Sequence, residues 1–298
     1  MTSRSLELYA DPTRRLEAAD KDTRLLMLSC GATLHHLAVA VGAEGWRAEA
    51  HRFPDPAEPT RLASIEFAPQ TPTKAIRELA RAIADRRSDR RPMSSWPVPV
   101  EHRQQLVSVA AEHGAIGRAL DASELSVWNA LAVRAARRRA LPSYRAEMYE
   151  WTHRQESRRD GIPSVNRVPI DESETTRVNR FAPGDLPLVG HGADDSLPFA
   201  LLIATSSDDP LARLRAGEAM SAVLLEATRL GLATAIDSQV LEMNSTRSVI
   251  EDKLLKGSLT PQVLLTVGWP STADPLPATP RRPLGDIVST TTQDPAFG

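Results

Sequence analysis

Three arginines and one serine lie within five residues, in the segment Arg86-Arg87-Ser88-Asp89-Arg90. A guanidinium makes paired hydrogen bonds to phosphate oxygens, and a serine hydroxyl adds a short O–H donor. These residue types at this spacing could therefore surround one phosphate group. Arginine clusters at helix ends also occur as ordinary solvated surface, so the segment alone leaves both interpretations open.

The other residues of reactive or metal-binding type do not suggest a second site. The pair His35-His36 has no further ligand at a metal-binding spacing, which argues against a metal site. Cys30 is the only cysteine. It lies at a helical position among apolar residues, so we expect it to be buried and unreactive, and no disulfide can form within the chain. The glycine-rich nucleotide-binding motifs and the hydrolase motif Gly-x-Ser-x-Gly are absent.

Composition narrows the class of protein. The chain has 298 residues, a net charge of -2 and 41% hydrophobic residues, which is typical of a soluble globular protein with a substantial core. So balanced a charge gives no reason to expect nucleic acid or an anionic membrane as a partner. No apolar run approaches the ~18 residues of a membrane span, and the N-terminus has no signal pattern. These features predict a cytoplasmic protein.

Hydrophobic periodicity predicts the elements that position the arginine segment. Strands are predicted at residues 6–9, 46–53, 62–67, 199–205 and 263–267, and helices at about 23–42, 71–86, 99–115, 123–140 and 211–230. The helix at 71–86 places Arg86 at its end. The run Arg137-Arg138-Arg139 closes another helix, where cations suit the helix dipole, so we interpret it as solvated rather than as a binding patch.

Residues 155–195 form a long segment without periodicity, rich in proline and glycine. A loop of this length inside a domain is commonly a lid or a binding loop. A disordered linker is the alternative. The segment carries a few apolar residues that could be buried, including Ile162, Val165 and Phe181, so both interpretations stay open on composition alone.

Two parts of the chain have the same order of predicted elements. Each has a strand, an acidic turn and a long helix that contains one glycine, Gly31 or Gly217, and closes at another, Gly45 or Gly231. The spacing between the two glycines is the same in both. We interpret the match as a duplication that stands in for a two-fold dimer. A chance match between two helices rich in alanine and leucine is the alternative.

The duplication makes a packing prediction. The two long helices should share one continuous core. Leu34 and Leu37 of the first helix should then lie in the same hydrophobic cluster as Met220 and Val223 of the second.

Taken in order, these pieces resemble the nitroreductase superfamily and, within it, the fused actinobacterial Acg-like proteins. The matching pieces lie at residues 11–16, 28–32, 82–92, 216–232, 261–270 and 280–284. The resemblance implies an α+β fold in which two nitroreductase-like halves form a pseudo-dimer with a lid-like insertion at about 155–195. Residues 1–70 would be a truncated first half, 71–288 the second half, and 289–298 a polar tail.

The resemblance also implies FMN as cofactor and NAD(P)H as a possible partner. Arg86, Arg87, Ser88 and Arg90 match the motif that holds the FMN phosphate and ribityl chain; Arg281 and Arg282 match a C-terminal basic pair that returns to the same phosphate; Ile236, Asp237 and Ser238 match a loop whose backbone faces the flavin ring. We therefore expect guanidiniums of the first group and the C-terminal pair to lie close together, and the insertion to cover the flavin.

One departure from the family pattern bears on function. A motif of the form Ala-Pro-Ser-x-x-Asn-x-Gln-Pro-Trp, which completes the flavin site from the other half, is missing before the first strand. Either the sequence begins late or half of the site is lost. Three functions stay open: binding or sequestering flavin under a lid; FMN-dependent NAD(P)H oxidation with nitroaromatics or quinones as acceptors; and a cofactor-free member. A monomeric pseudo-dimer is expected rather than a homodimer.

Overall fold

The computed structural model describes residues 5–153, 160–169, 180–188 and 198–290. The strands are β1 (Ser5–Tyr9), β2 (Trp46–Arg52), β3 (Arg61–Pro69), β4 (Ile116–Leu120), β5 (Phe199–Thr205), β6 (Ala233–Asp237) and β7 (Thr260–Gly268). The α-helices are α1 (Arg24–Ala43), α2 (Lys74–Asp85), α3 (Val100–Glu112), α4 (Ala122–Ala136), α5 (Pro142–His153), α6 (Pro210–Arg229) and α7 (Asn244–Leu255). The architecture is α+β, as predicted. Most of the predicted polar tail lies outside the described residues.

The strands form two antiparallel sheets. Their orders are β1-β3-β2 and β4-β5-β7-β6. The first order recurs within the second when β1, β2 and β3 are matched to β5, β6 and β7. In both cases the long helix follows the first strand of the set. The second sheet adds β4 outside β5, and α7 lies between β6 and β7 in the chain.

The second sheet is covered on both faces. Leu201 and Ile203 of β5 lie in one hydrophobic cluster. Leu202 lies in another, which also contains Trp128 of α4 and Ile250 of α7. A strand buried on both faces has apolar residues at successive positions, which is why the sequence predicts β5 as a buried strand.

Helices α1 and α6 cross with their backbones in contact at Gly31 and Gly217. A Cβ on Gly31 would come within 2.0 Å of the Leu214 carbonyl oxygen, and one on Gly217 within 2.2 Å of the Leu28 carbonyl oxygen. Each glycine thus meets the residue three positions before the other glycine. Only a residue without a Cβ permits this approach. The glycines noticed in the sequence mark the point where the two long helices cross.

The prediction of one continuous core across these helices is wrong. Leu34 and Leu37 belong to the cluster beneath the first sheet, whereas Met220 and Val223 belong to a cluster of the second sheet. The two helices still share packing elsewhere. Leu28 of α1 lies in the same cluster as Met220, Leu214 of α6 joins the first-sheet cluster, and Val39 packs with Leu225 in a third cluster. The side chains of the two helices are thus divided among several clusters rather than gathered in one continuous core.

Helix α1 has the length and composition of a membrane span. It contains 20 residues, and the mean hydropathy of an 18-residue window within it is 1.6. The expectation from uninterrupted apolar runs did not foresee this, because small and polar residues are distributed along the helix. Its contacts are those of a core helix: Leu28 and Leu34 are 3% exposed, and Gly31 lies against the backbone of α6.

Candidate functional site

The arginine segment runs along the edge of the second sheet. α2 ends at Asp85, and the chain then passes beside β6. The Asp89 N–H donates to the Thr234 carbonyl at 2.8 Å, and Ser88 forms a parallel bridge with Thr234. Backbone contacts with Thr234, the buried residue of the edge strand β6, therefore fix the position of the segment.

Asp89 is paired mainly with Arg91. Its carboxylate accepts hydrogen bonds from Arg91 Nε at 2.9 and 3.2 Å, from Nη2 at 2.8 Å and from the Arg91 backbone N–H at 3.0 Å. Both residues are 5% exposed. The charge of Asp89 also favours the charged form of Arg90. Arg87 Nη1 donates to the Ala84 and Arg86 carbonyls, and Arg86, Arg87 and Arg90 form no ion pair with the described residues.

A cavity of about 70 Å³ lies beside the segment. Its lining residues are Arg86, Arg87, Ser88, Arg90, Ile162, Asn166 and Thr279. None of these described lining residues is acidic. At roughly 10–15 Å³ of such space per water, the cavity has room for a few waters or for one phosphate group. It is far smaller than the roughly 300–1,000 Å³ pockets that enclose whole cofactor-sized ligands.

Burial and repulsion between cations destabilise the charged state of the Arg86 and Arg90 guanidiniums. Burial lowers the pKa of Arg86, and the charges of Arg281 and Arg87 lower it further. Burial lowers the pKa of Arg90 to about 10, with the charge of Arg180 as the next cause. An anion in the cavity would reverse this effect, because an opposite charge stabilises the charged form.

One member of the predicted C-terminal pair comes to this region. Arg281 Nη1 donates to the Thr279 carbonyl at 3.2 Å, and Thr279 lines the cavity. The charge of Arg281 acts on Arg86. Arg282 is not among the described residues that line the cavity, so the structure brings together one arginine of the pair with the segment.

The residues predicted to face the flavin ring lie in a strand rather than a loop. Ile236 and Asp237 are the last residues of β6, and Ser238 follows them. Ile236 is 41% exposed. The Asp237 carboxylate accepts a hydrogen bond from Trp128 Nε1 at 2.7 Å. The loop expectation is therefore wrong for Ile236 and Asp237, because antiparallel pairing with β7 extends through both residues.

The described parts of the insertion contact both regions of the predicted site. Ile162 and Asn166 line the arginine cavity, and Arg90 Nη1 donates to the Asn166 backbone carbonyl at 3.4 Å. Arg180 Nη1 donates to the Ser238 hydroxyl at 3.2 Å. These parts of the insertion do not project away from the arginines. Residues 155–159, 170–179 and 189–195 of the predicted lid lie outside the described residues.

Arg180 anchors the insertion, and sequence reasoning missed it. Its Nη2 donates to Glu242 Oε1 at 2.6 Å and to the Tyr144 hydroxyl at 3.1 Å. The Glu242 side chain is 2% exposed and also lies 3.5 Å from Arg138 Nη1. Burial raises the pKa of Glu242, whereas the charges of Arg180 and Arg138 oppose that rise. The run Arg137-Arg138-Arg139 is therefore not merely solvated.

The two adjacent histidines have different surroundings. His35 is buried, its Nδ1 lies 2.9 Å from the Ser221 hydroxyl, and burial lowers its pKa to about 3. Burial also lowers the pKa of His36, and the charges of Arg86 and Arg281 lower it further. α1 therefore brings His36 within electrostatic range of the arginine site.

Metal and thiol chemistry have no support at the described residues. In that part of the chain, no group of three or more His, Cys, Asp or Glu residues is placed to hold a metal ion. Cys30 is buried, as expected. Burial raises the pKa of its thiol to about 11, which disfavours the reactive thiolate.

Comparison with known proteins gives the class of this protein. Residues 83–269 match the Nitroreductase family model. A Mycobacterium tuberculosis protein named "Putative NAD(P)H nitroreductase Rv3131" is 41% identical over 288 residues, covering 95% of this chain and 83% of its own length. Another from the same organism, "Putative NAD(P)H nitroreductase acg", is 34% identical over 300 residues, covering 97% of this chain and 88% of its own length. The chain belongs to the nitroreductase family.

Solved structures align over about three quarters of the chain. The FMN-dependent nitroreductase NfnB from Mycobacterium smegmatis, in complex with NADPH, has a TM-score of 0.49 and 14% identity, covering 73% of this chain and 100% of that one. A nitroreductase with bound FMN from Bacteroides fragilis has a TM-score of 0.45 and 13% identity, covering 72% of this chain and 99% of that one.

Proposed function

We propose that this protein binds FMN with the phosphate in the cavity lined by Arg86, Arg87, Ser88 and Arg90. The observation that carries the proposal is that three arginines and a serine line one cavity whose described lining has no acidic residue. Membership of the nitroreductase family supplies the cofactor class.

The residues at the cavity suit a phosphate monoester. The buried Nε of Arg87 has no hydrogen-bond partner in the described structure, and the pKa values of Arg86 and Arg90 are lowered by burial and by neighbouring cations. A dianion would accept the unused hydrogen bond and offset the repulsion. A cavity of about 70 Å³ holds the phosphate end alone, so the ring would lie outside it. Bound FMN would supply the redox chemistry, while these residues supply position and charge.

The proposal includes the insertion as a cover for the bound flavin. Ile162 and Asn166 close one wall of the arginine cavity. Arg180 reaches Ser238 beyond β6 and is held by the buried Glu242. A covered flavin would meet substrates slowly, and this favours binding or sequestering FMN over rapid turnover.

The proposal also treats the chain as a monomeric pseudo-dimer, with the division between halves at about residue 70. Two features support this arrangement. The strand order β1-β3-β2 matches β5-β7-β6, and the glycine contacts at the crossing of α1 and α6 are equivalent for the two helices.

A second candidate function is that of an FMN-dependent NAD(P)H oxidoreductase acting on nitroaromatics or quinones in the cytoplasm. The specific observation in its favour is the 41% identity to a protein named as an NAD(P)H nitroreductase. It requires an open approach to the flavin ring, which the covering insertion would restrict.

One experiment separates the candidates. The purified protein is stripped of ligand, titrated with FMN, and then mixed with NADPH under anaerobic conditions while the visible flavin band is followed. Tight FMN binding with slow bleaching and no turnover of a nitroaromatic supports sequestering. Rapid bleaching followed by turnover supports the oxidoreductase and rejects sequestering. No FMN binding rejects both, and leaves a cofactor-free member of the family.

A further inference from the structure

Asn166 carries a buried hydrogen-bond acceptor without a partner on the wall of the arginine cavity. The residue is 4% exposed and lines the cavity. Its Nδ2 donates to the Pro277 carbonyl at 2.8 Å, whereas its Oδ1 is buried and has no hydrogen-bond partner in the described structure. A carbonyl only accepts, so the contact with Pro277 fixes which amide atom is the nitrogen.

The neighbouring side chains do not satisfy this oxygen. Arg90 Nη1 donates to the backbone carbonyl of Asn166 at 3.4 Å rather than to its side chain. Buried polar atoms without partners are uncommon in native proteins, and each one calls for an explanation. Here the explanation is a donor that belongs to the ligand.

A phosphate group alone cannot provide that donor. Above its second pKa of about 6, a phosphate monoester has only acceptor oxygens. The guanidiniums of Arg86, Arg87 and Arg90 can donate to those oxygens, but none of the oxygens can donate to Asn166. The hydrogen bond would then come from another part of the same ligand, close to the phosphate, or from a water in its place, and the comparison of two ligands below separates these sources.

We propose that Asn166 determines specificity at this site by accepting a hydrogen bond from a ligand hydroxyl next to the phosphate. The class of ligand is a phosphorylated polyol. The inference rests on the proposed phosphate position and deepens it, because the ribityl phosphate of FMN belongs to this class. It also gives the insertion a direct contact with the ligand, since Asn166 lies within it.

The test compares two small phosphates at about pH 8, where both are dianions. Ribitol 5-phosphate carries hydroxyls beside its phosphate, and methyl phosphate carries none. Their affinities are measured by calorimetry for the wild type, for Asn166→Leu, and for the exposed control Asn129→Leu on α4. The wild type and the control should prefer ribitol 5-phosphate. Asn166→Leu should reduce that preference by about tenfold, the value of one good hydrogen bond, with methyl phosphate affinity unchanged.

An equal loss of affinity for both phosphates, or an unchanged preference in Asn166→Leu, would overturn the inference. Asn166→Ala, which also lacks the acceptor but is smaller, replaces the leucine variant if the latter unfolds. FMN binding is titrated separately. If FMN fails to bind while Asn166 still controls the preference, the proposed cofactor is wrong and the inference stands. If FMN binds and the preference is unaffected, the inference is wrong and the cofactor stands. If the wild type shows no preference, or binds neither phosphate, the inference is wrong.

Discussion

The two sheets share a strand order but differ in what surrounds them. In the first sheet, Ala63 and Ile65 of β3 face a hydrophobic cluster. Glu7 accepts hydrogen bonds from Arg61 and Ser64 in a polar set between β1 and β3. In the second sheet, both faces are apolar. The same strand order is apolar on one face in the first sheet and on both faces in the second.

The connections between equivalent strands also differ, because the connection in the second sheet is longer than that in the first. Residues 53–60 join β2 to β3, whereas residues 238–259 join β6 to β7 and include α7 and Glu242. The arginine segment lies on β6, and Arg180 of the insertion binds beside the end of that strand. The candidate site lies where the second sheet has additional chain, on a strand order that both sheets share.

The largest expected effect tests the equivalence of the two long helices. Gly31→Ala and Gly217→Ala each place a Cβ within about 2 Å of a backbone oxygen on the other helix, and backbone cannot move aside as a side chain can. Each should cost more than about 3 kcal/mol of unfolding free energy, at the upper end for overpacking. Urea denaturation measures it. Gly285→Ala, where an added Cβ meets nothing within 4 Å, is the control. A loss under about 1 kcal/mol for either core glycine would contradict the backbone contact.

The next effect tests the difference between the two connections. Glu242→Ala leaves Arg180 and Arg138 without their buried carboxylate. Removing one partner of a buried ion pair costs about 3–5 kcal/mol. Glu58→Ala changes a glutamate in the corresponding first-half connection, where the carboxylate is 46% exposed and 3.9 Å from its arginine partner, so stability should change by less than about 1 kcal/mol. Equal effects of the two variants on the urea midpoint would show that the second connection is no more important than the first.

Ligand affinity tests the asymmetry in charge. Arg86→Ala should weaken FMN binding at least ~30-fold, because the loss of one partner of a hydrogen-bonded charge pair costs about 2–5 kcal/mol. Arg281→Ala should weaken FMN binding as well. Arg282→Ala should weaken it less, because the charge of Arg281, unlike that of Arg282, acts on Arg86. Arg47→Ala in the first half, whose side chain is 61% exposed, is the control. Unchanged FMN affinity in Arg86→Ala would remove the phosphate from this cavity.

Local patterns predicted much of this architecture. The apolar run of β5 predicted a buried strand because both of its faces are covered. The matched glycines predicted a relationship between α1 and α6, and the structure places them at one crossing. The arginine segment predicted a cluster because all of its site residues lie on one stretch of chain, which a single strand edge can hold.

The parts that sequence did not predict depend on contacts between distant residues. Arg180 and Glu242 are 62 positions apart, and no local period connects them. β6 is short, and its Thr-Ala-Ile alternation is a weak strand signal. Leu34 and Met220 lie in different clusters, and helical periodicity does not specify which cluster each part of a long helix meets. The unsatisfied Asn166 oxygen is visible only once its neighbours are in place.

The smallest effect comes from a difference between the halves at the crossing itself. His35 follows Gly31 by four positions, and Ser221 follows Gly217 by four. These equivalent positions carry a histidine and a serine, and His35 Nδ1 lies 2.9 Å from Ser221 Oγ. Burial, with repulsion from His113, lowers the pKa of His35 to about 3, against about 6.5 in the unfolded chain.

The sign of the pH dependence follows from which state binds the proton. Between about pH 6.5 and 3, the unfolded chain protonates this histidine and the folded protein does not, so unfolding is favoured as the pH falls. The contribution of His35 to the unfolding free energy is fully present above about pH 6.5. Below that pH it declines, by at most about 1.4 kcal/mol per pH unit for one proton.

His35→Gln should therefore show a shallower loss of unfolding free energy between about pH 6.5 and 4 than the wild type. Ser221→Ala should keep the wild-type slope, because the histidine still titrates. Residual slope in His35→Gln is expected from His36 and His113, whose pKa values are also lowered by burial. Parallel pH profiles for the wild type and His35→Gln would mean that the crossing of the two halves does not hold this imidazole neutral.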